Sequence, residues 1–139
     1  MIASLLFAAF ALVAPAQADE ASAETCLKTK IWEGYNSGWA VRTATNATLG
    51  QGEHRIYLVT LYAGTEYKIM VCGDDTAVNA DIVLYDSLGN EVGRDSTKDR
   101  EPVLLYKSGA TDTFYIAVHA TQTKDGTAKA GLATAVTYK

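Results

Sequence analysis

The side chains best suited to chemistry fall into three groups along this chain. The first is the acidic stretch Gly73-Asp74-Asp75-Thr76-Ala77-Val78-Asn79-Ala80-Asp81. Calcium takes about six to eight oxygens from carboxylates and carbonyls brought together on nearby backbone. Asp74, Asp75, Asn79 and Asp81 are the side chains from which a calcium site would be built here. Asp86 is left out of that set, because the intervening strand places it about 17 Å away at about 3.4 Å per residue. The competing reading is a solvated loop, with Asp86 and Asn90 bonding only the backbone of their own turn.

The second group is Ile31-Trp32-Glu33-Gly34-Tyr35-Asn36-Ser37-Gly38-Trp39, which holds both tryptophans of the chain. Exposed aromatic rings grip sugars and extended peptides because a flat ring offers a large contact area with little entropy to lose. Trp32, Tyr35 and Trp39 are therefore the candidate ligand-binding residues, against the alternative that they close one end of a core. The third group is the two histidines, His54 and His119, at a strand start and a strand end. Neither Gly-x-Ser-x-Gly nor His-Glu-x-x-His accompanies them, so the reading is non-enzymatic.

Something must hold these groups in place, and the cysteines supply the first constraint. Cys26 and Cys72 are the only two. In an oxidising compartment a disulfide between them would staple the leader segment to a strand end. From about Lys30 onward the chain reads as short β-like runs separated by turn residues. His54 to Ala63 alternates with both faces fairly apolar, as a central strand would. Tyr67 to Val71, Asp81 to Tyr85, a short run from Val92, Val103 to Tyr106, Phe114 to His119 and Leu132 to Tyr138 follow. Turns of the type Ala63-Gly64-Thr65-Glu66 and Asp86-Ser87-Leu88-Gly89-Asn90 separate them, and Thr121 to Lys129 reads as a polar hairpin loop. This pattern predicts an all-β fold, a single antiparallel sandwich with one disulfide. Tyr57, Tyr85 and Tyr115 are expected to form a cross-strand ladder on one face, and Arg94 to Glu101 a solvated mixed-charge loop.

Three stretches of the sequence resemble the bacterial pre-peptidase C-terminal domain. They are Tyr57-Leu58-Val59-Thr60-Leu61-Tyr62-Ala63-Gly64-Thr65-Glu66-Tyr67-Lys68-Ile69, then Asp81-Ile82-Val83-Leu84-Tyr85-Asp86-Ser87-Leu88-Gly89-Asn90-Glu91-Val92, then Gly109 to Val118. The resemblance spans about Gly52 to Tyr138 and keeps the family's order. It implies a jelly-roll-like sandwich that usually serves as an accessory module of secreted proteases, some versions binding collagen and calcium. The 139 residues depart from that pattern in two respects: they include no peptidase segment, and an N-terminal portion adds Cys26, Trp32, Tyr35 and Trp39.

Composition and the first residues set compartment and class. Ile2 to Ala14 carry no charge, and Ala16-Gln17-Ala18 gives the small-x-small pattern of an export signal, so residues 1–18 are expected to be removed. The run is shorter than the roughly 20 residues of a membrane span. Residues 19–29 then read as a loose polar leader and 30–139 as the sandwich. A net charge of −4 with Lys and Arg scattered singly leaves no footprint for nucleic acid. The leading expectation is a periplasmic or secreted binding module for a protein partner or a glycan or matrix polymer. Two other classes fit the same frame. One is a hydrolase inhibitor, inserting a loop such as Lys107-Ser108-Gly109-Ala110-Thr111 into a cleft, and the other is a structural subunit of a surface assembly.

Overall fold

The computed structural model describes residues 18–139; apart from Ala18, the expected export signal lies outside the described residues. The elements are α1 (Glu20–Tyr35), β1 (Ala40–Leu49), β2 (His54–Leu61), β3 (Glu66–Gly73), β4 (Ala77–Tyr85), β5 (Glu91–Asp95), β6 (Val103–Lys107), β7 (Asp112–Thr123) and β8 (Ala130–Tyr138), with one 3-10 turn at Lys124–Gly126. One antiparallel sheet runs β1-β8-β3-β6 and the other β2-β7-β4-β5. This is the expected antiparallel sandwich. Alternation along each strand sends Ile69, Val71, Leu132 and Val136 from the first sheet inward. They meet Leu61, Ile82, Leu84, Ile116 and Val118 from the second, and together these side chains form the main core.

The N-terminal portion departs from expectation. Residues 20–35 are an α-helix, where a loose polar leader over 19–29 and strand-like runs from Lys30 were expected. The local causes are visible in the sequence. Asp19 is the N-cap, its side chain accepting from the Ser22 N–H, and Glu20 stands in the first turn, where a negative charge suits the helix dipole. Its apolar stripe is narrow, which hid the helical period among Ala, Ser, Glu and Lys. Ala23 and Leu27, four residues apart, are the apolar side chains it buries, with Cys26 and Ile31 half-covered beside them. They pack on the outer face of the first sheet against Met70, Cys72, Ala133 and Ala135. Covering Leu27 contributes about 2 kcal/mol.

The helix lies close because β8 is built small on that side. A Cβ at Gly131 would come within 3.0 Å of the Asp19 carbonyl and the Glu20 nitrogen. Two fastenings then hold α1. The expected disulfide joins Cys26 to Cys72 on β3, with Cα atoms 5.9 Å apart. At the helix start, the Asp19 N–H donates to Asp74 Oδ2 at 2.7 Å. Asp74 is buried, and its Oδ1 accepts from the Thr76 N–H and hydroxyl and from the Ala77 N–H. Burial by itself would raise the pKa of Asp74. The Thr76 hydroxyl and the backbone N–H groups of Asp19, Gly131 and Thr76 outweigh that effect and hold the carboxyl below its ordinary value.

Two strands also differ from the sequence reading. β1 was not anticipated: its Thr, Ala and Asn residues are largely exposed on an edge, so no apolar alternation marks it. β2 is an edge strand rather than a central one, and Ile56 and Leu58 on its outer side are 48% and 68% exposed. Tyr85 and Tyr115 are cross-strand partners, but Tyr57 packs against the core on the opposite face, so the three tyrosines do not form one ladder.

Two outcomes follow from the fastenings. Replacing both cysteines by serine should lower the unfolding free energy by about 4 kcal/mol, given the sequence separation of 46. An unchanged urea midpoint would show that the bridge carries no stability. Asp74 ionises more readily folded than unfolded. Its contribution is therefore intact above the unfolded value of about 3.9 and is lost as pH falls through the lower folded value. Urea titrations should find D74N less stable than the parent chain at pH 7, with the gap closing below about pH 4.

Candidate functional site

The aromatic segment sits at the end of α1 and in the turn that follows it. Trp32 and Tyr35, three residues apart, share one face of the last helical turns and point into solvent, 68% and 64% exposed. Their rings meet edge to face with centroids 6.0 Å apart, a favourable aromatic arrangement. The helix ends at Asn36, and the Ser37 and Gly38 N–H groups close the turn onto the carbonyls of Gly34 and Tyr35. Gly38 stands at φ +92°, in the left-handed region, where a side chain costs about 1–2 kcal/mol.

This turn folds Trp39 back, its N–H bonding the Gly34 carbonyl. Trp39 is only partly exposed, and ammonium groups flank its ring: Lys68 Nζ at 4.5 Å and Lys139 Nζ at 5.6 Å from the centroid. Burial, then repulsion from Lys139 and Lys30, lowers the Lys68 pKa. Trp39 also lines a shallow groove with Glu66, Tyr67, Leu105, Tyr106 and Lys107. The three aromatic candidates thus take two roles. Trp32 and Tyr35 form an open platform, whereas Trp39 is held in a basic pocket wall. The lysines around Trp39 could not be found from sequence, because they come from β3 and the far end of the chain.

The four candidate calcium ligands are not gathered around one point. All the Asp74 oxygens serve the helix start and the β3–β4 turn. Asp75 is exposed and pairs with Arg100 at 3.4 Å. Asn79 Oδ1 accepts from the Asp99 N–H. Asp81 stands on the outer face of β4, across from His119 on β7. Among the described residues, the one group of three ligand-type side chains with mutually close donor atoms is Cys26, Cys72 and Glu101. Its two sulfurs are already spent in the disulfide, so it is not a metal site.

His54 and His119 are register partners on β2 and β7, with ring centroids 5.1 Å apart. Burial and the neighbouring His54 lower the His119 pKa, against an opposing pull from Asp81. Sequence separation concealed this pairing. Among the described residues, neither ring is hydrogen-bonded to a serine, threonine or cysteine side chain. In the 107–111 loop, Ser108 is buried and its hydroxyl bonds Ala110, leaving a short turn at the tip. The 94–101 segment is less of a free loop than expected. Asp95 accepts from Val103 and Thr97, Asp99 from Glu101, and Glu101 pairs with Lys30 of the helix at 3.7 Å.

No family model matches the chain, and no curated relative matches it. Among solved structures, it is similar to the pre-peptidase C-terminal domain of a collagenase from Bacillus anthracis. That likeness has a TM-score of 0.54 at 13% identity and covers 69% of this chain and 89% of that one. A de novo designed double-stranded β-helix also aligns, with a TM-score of 0.36 at 13% identity over 70% of this chain and 99% of that one, too loose to carry an argument. Among the described residues, no helix is long and apolar enough to cross a membrane. What the chain shares with the collagenase domain is its architecture: it has a fold of the pre-peptidase C-terminal domain type, with a disulfide-tethered helix laid on one sheet.

Proposed function

We propose that this chain is a non-enzymatic binding module that works outside the cytoplasm and uses Trp32 and Tyr35 to hold a polymeric partner, a glycan or an extended matrix peptide. One observation carries the reading. Two large aromatic side chains stand more than half exposed on the last turns of a helix fastened to the sheet by a disulfide. What supports the reading is their contiguity: two adjacent exposed rings form a continuous apolar patch, the kind of surface that marks interaction sites. Rigid presentation lowers the entropy a ligand must overcome, and an edge-to-face pair offers two ring surfaces at an angle that a ribbon-like chain can follow. The disulfide suits an oxidising compartment. The solved structure sharing this fold is a domain of a collagenase, which makes a matrix polymer a sensible first ligand to try.

The test uses the full secreted chain against peptidoglycan sacculi, chitin and fibrillar collagen in sedimentation assays. At least one polymer should pull the chain down, and the double variant W32A/Y35A should bind that polymer at least about tenfold more weakly while melting within about 2 °C of the parent. Failure to bind any of the three, or equal binding by the variant, would contradict the reading. Acrylamide quenching provides a second check: W32F should lose most of the quenchable emission, leaving the less accessible Trp39.

A further inference from the structure

The expected export signal and the first residue of the folded domain meet at a single bond. In the sequence, Ala16-Gln17-Ala18 precedes Asp19, so a peptidase that reads small-x-small would cut the Ala18–Asp19 bond. In the structure, the nitrogen of that same bond is 2.7 Å from Asp74 Oδ2. Asp74 is only 2% exposed. Its other oxygen is occupied by Thr76 and Ala77, and Oδ2 accepts from the residue 19 N–H.

Asp19 itself is exposed, but its backbone is fixed at several points. The Asp19 carbonyl accepts the first helical bond from Ala23, its side chain caps Ser22, and β8 passes beneath at Gly131. What this carboxylate lacks is a counter-charge. The side-chain ion pairs among the described residues are Lys30–Glu101, Arg94–Glu91 and Arg100–Asp75, and none involves Asp74. Arg100 approaches only the Asp74 backbone carbonyl, at 3.2 Å. A buried carboxylate with amide and hydroxyl donors alone keeps an unbalanced charge, which proteins ordinarily pair.

We infer that cleavage after Ala18 supplies the missing charge, so that the new amino terminus becomes a structural partner of the buried Asp74. An endopeptidase adds water across the Ala18–Asp19 amide. Ala18 departs with the new carboxylate, and the nitrogen remains on Asp19 as an α-ammonium. At neutral pH that group is largely protonated, its ordinary pKa being about 7.7–8.0. It needs no movement to reach Oδ2, and it turns a neutral hydrogen bond into a charge-assisted one. The carboxylates of Asp19 and Glu20 offset the cost of a positive charge at a helix start. Processing is then the last step in anchoring α1, and a chain carrying even one extra residue has only an amide at this position.

The inference rests on the exported reading, and the experiment separates the two. Intact-mass measurement and N-terminal sequencing of the chain secreted into a bacterial periplasm should show a start at Asp19; a start at another residue overturns the inference. The chain beginning at Asp19 is then compared at pH 6.5 with the same chain acetylated at its amino terminus. The free-amine form should melt at least about 5 °C higher, and the difference should shrink markedly in the D74N background. Equal melting of the two forms would overturn the pairing, while leaving export and polymer binding standing.

Discussion

The close approach of α1 to β8 is the contact on which the rest of the architecture depends. A helix can lie this near a sheet only where the facing side chains are small, and β8 presents Gly131, Ala133 and Ala135 on that side. Its alternate residues Leu132 and Val136 point the other way into the sandwich core. The strand is thus covered on both faces, and 130–137 are buried without interruption. One strand serves two cores because its odd positions are small and its even positions are mostly large.

Two fastenings make that contact permanent at different points of the helix. Asp74 holds the first turn through the backbone of residue 19, and Cys72 holds the second turn through Cys26. Both anchors stand on β3 or just after it, next to β8 in the sheet. Glu101 adds a third tie farther along, its carboxylate lying near the disulfide and pairing with Lys30. The helix therefore behaves as a third layer of the domain. Its inner face is spent on packing, and the opposite side of its last turns carries Trp32 and Tyr35 into solvent. An appendage would let those rings wander; a fastened layer fixes their direction.

The β-sandwich was legible because its inner positions repeat with a period of two, as Ile69, Val71 and Ile82, Leu84 illustrate. The turns were legible from glycine and aspartate at points where the chain reverses. The helix was not, since it buries little beyond Ala23 and Leu27 and its surface looks like that of a solvated leader. β1 escaped for a related reason: an exposed edge strand of threonines and alanines carries no apolar signal. Part of the candidate site could be read from residue type alone, because Trp32 and Tyr35 stood out as aromatics among small polar residues. The environment of Trp39 could not, because Lys68 and Lys139 reach it only after the sheet has formed. The acidic loop misled for the opposite reason. Its carboxylates are close in sequence, but strand alternation and local hydrogen bonds turn them to separate tasks.

Amide hydrogen exchange of the folded, disulfide-bonded chain tests most directly whether α1 is an integral layer of the domain. If it is, the amides of 24–34 should be protected to a degree comparable with those of β3 and β8, since opening the helix would uncover the faces of both. Exchange of 24–34 at rates near those of an unfolded chain, while β3 and β8 remain protected, would contradict the account.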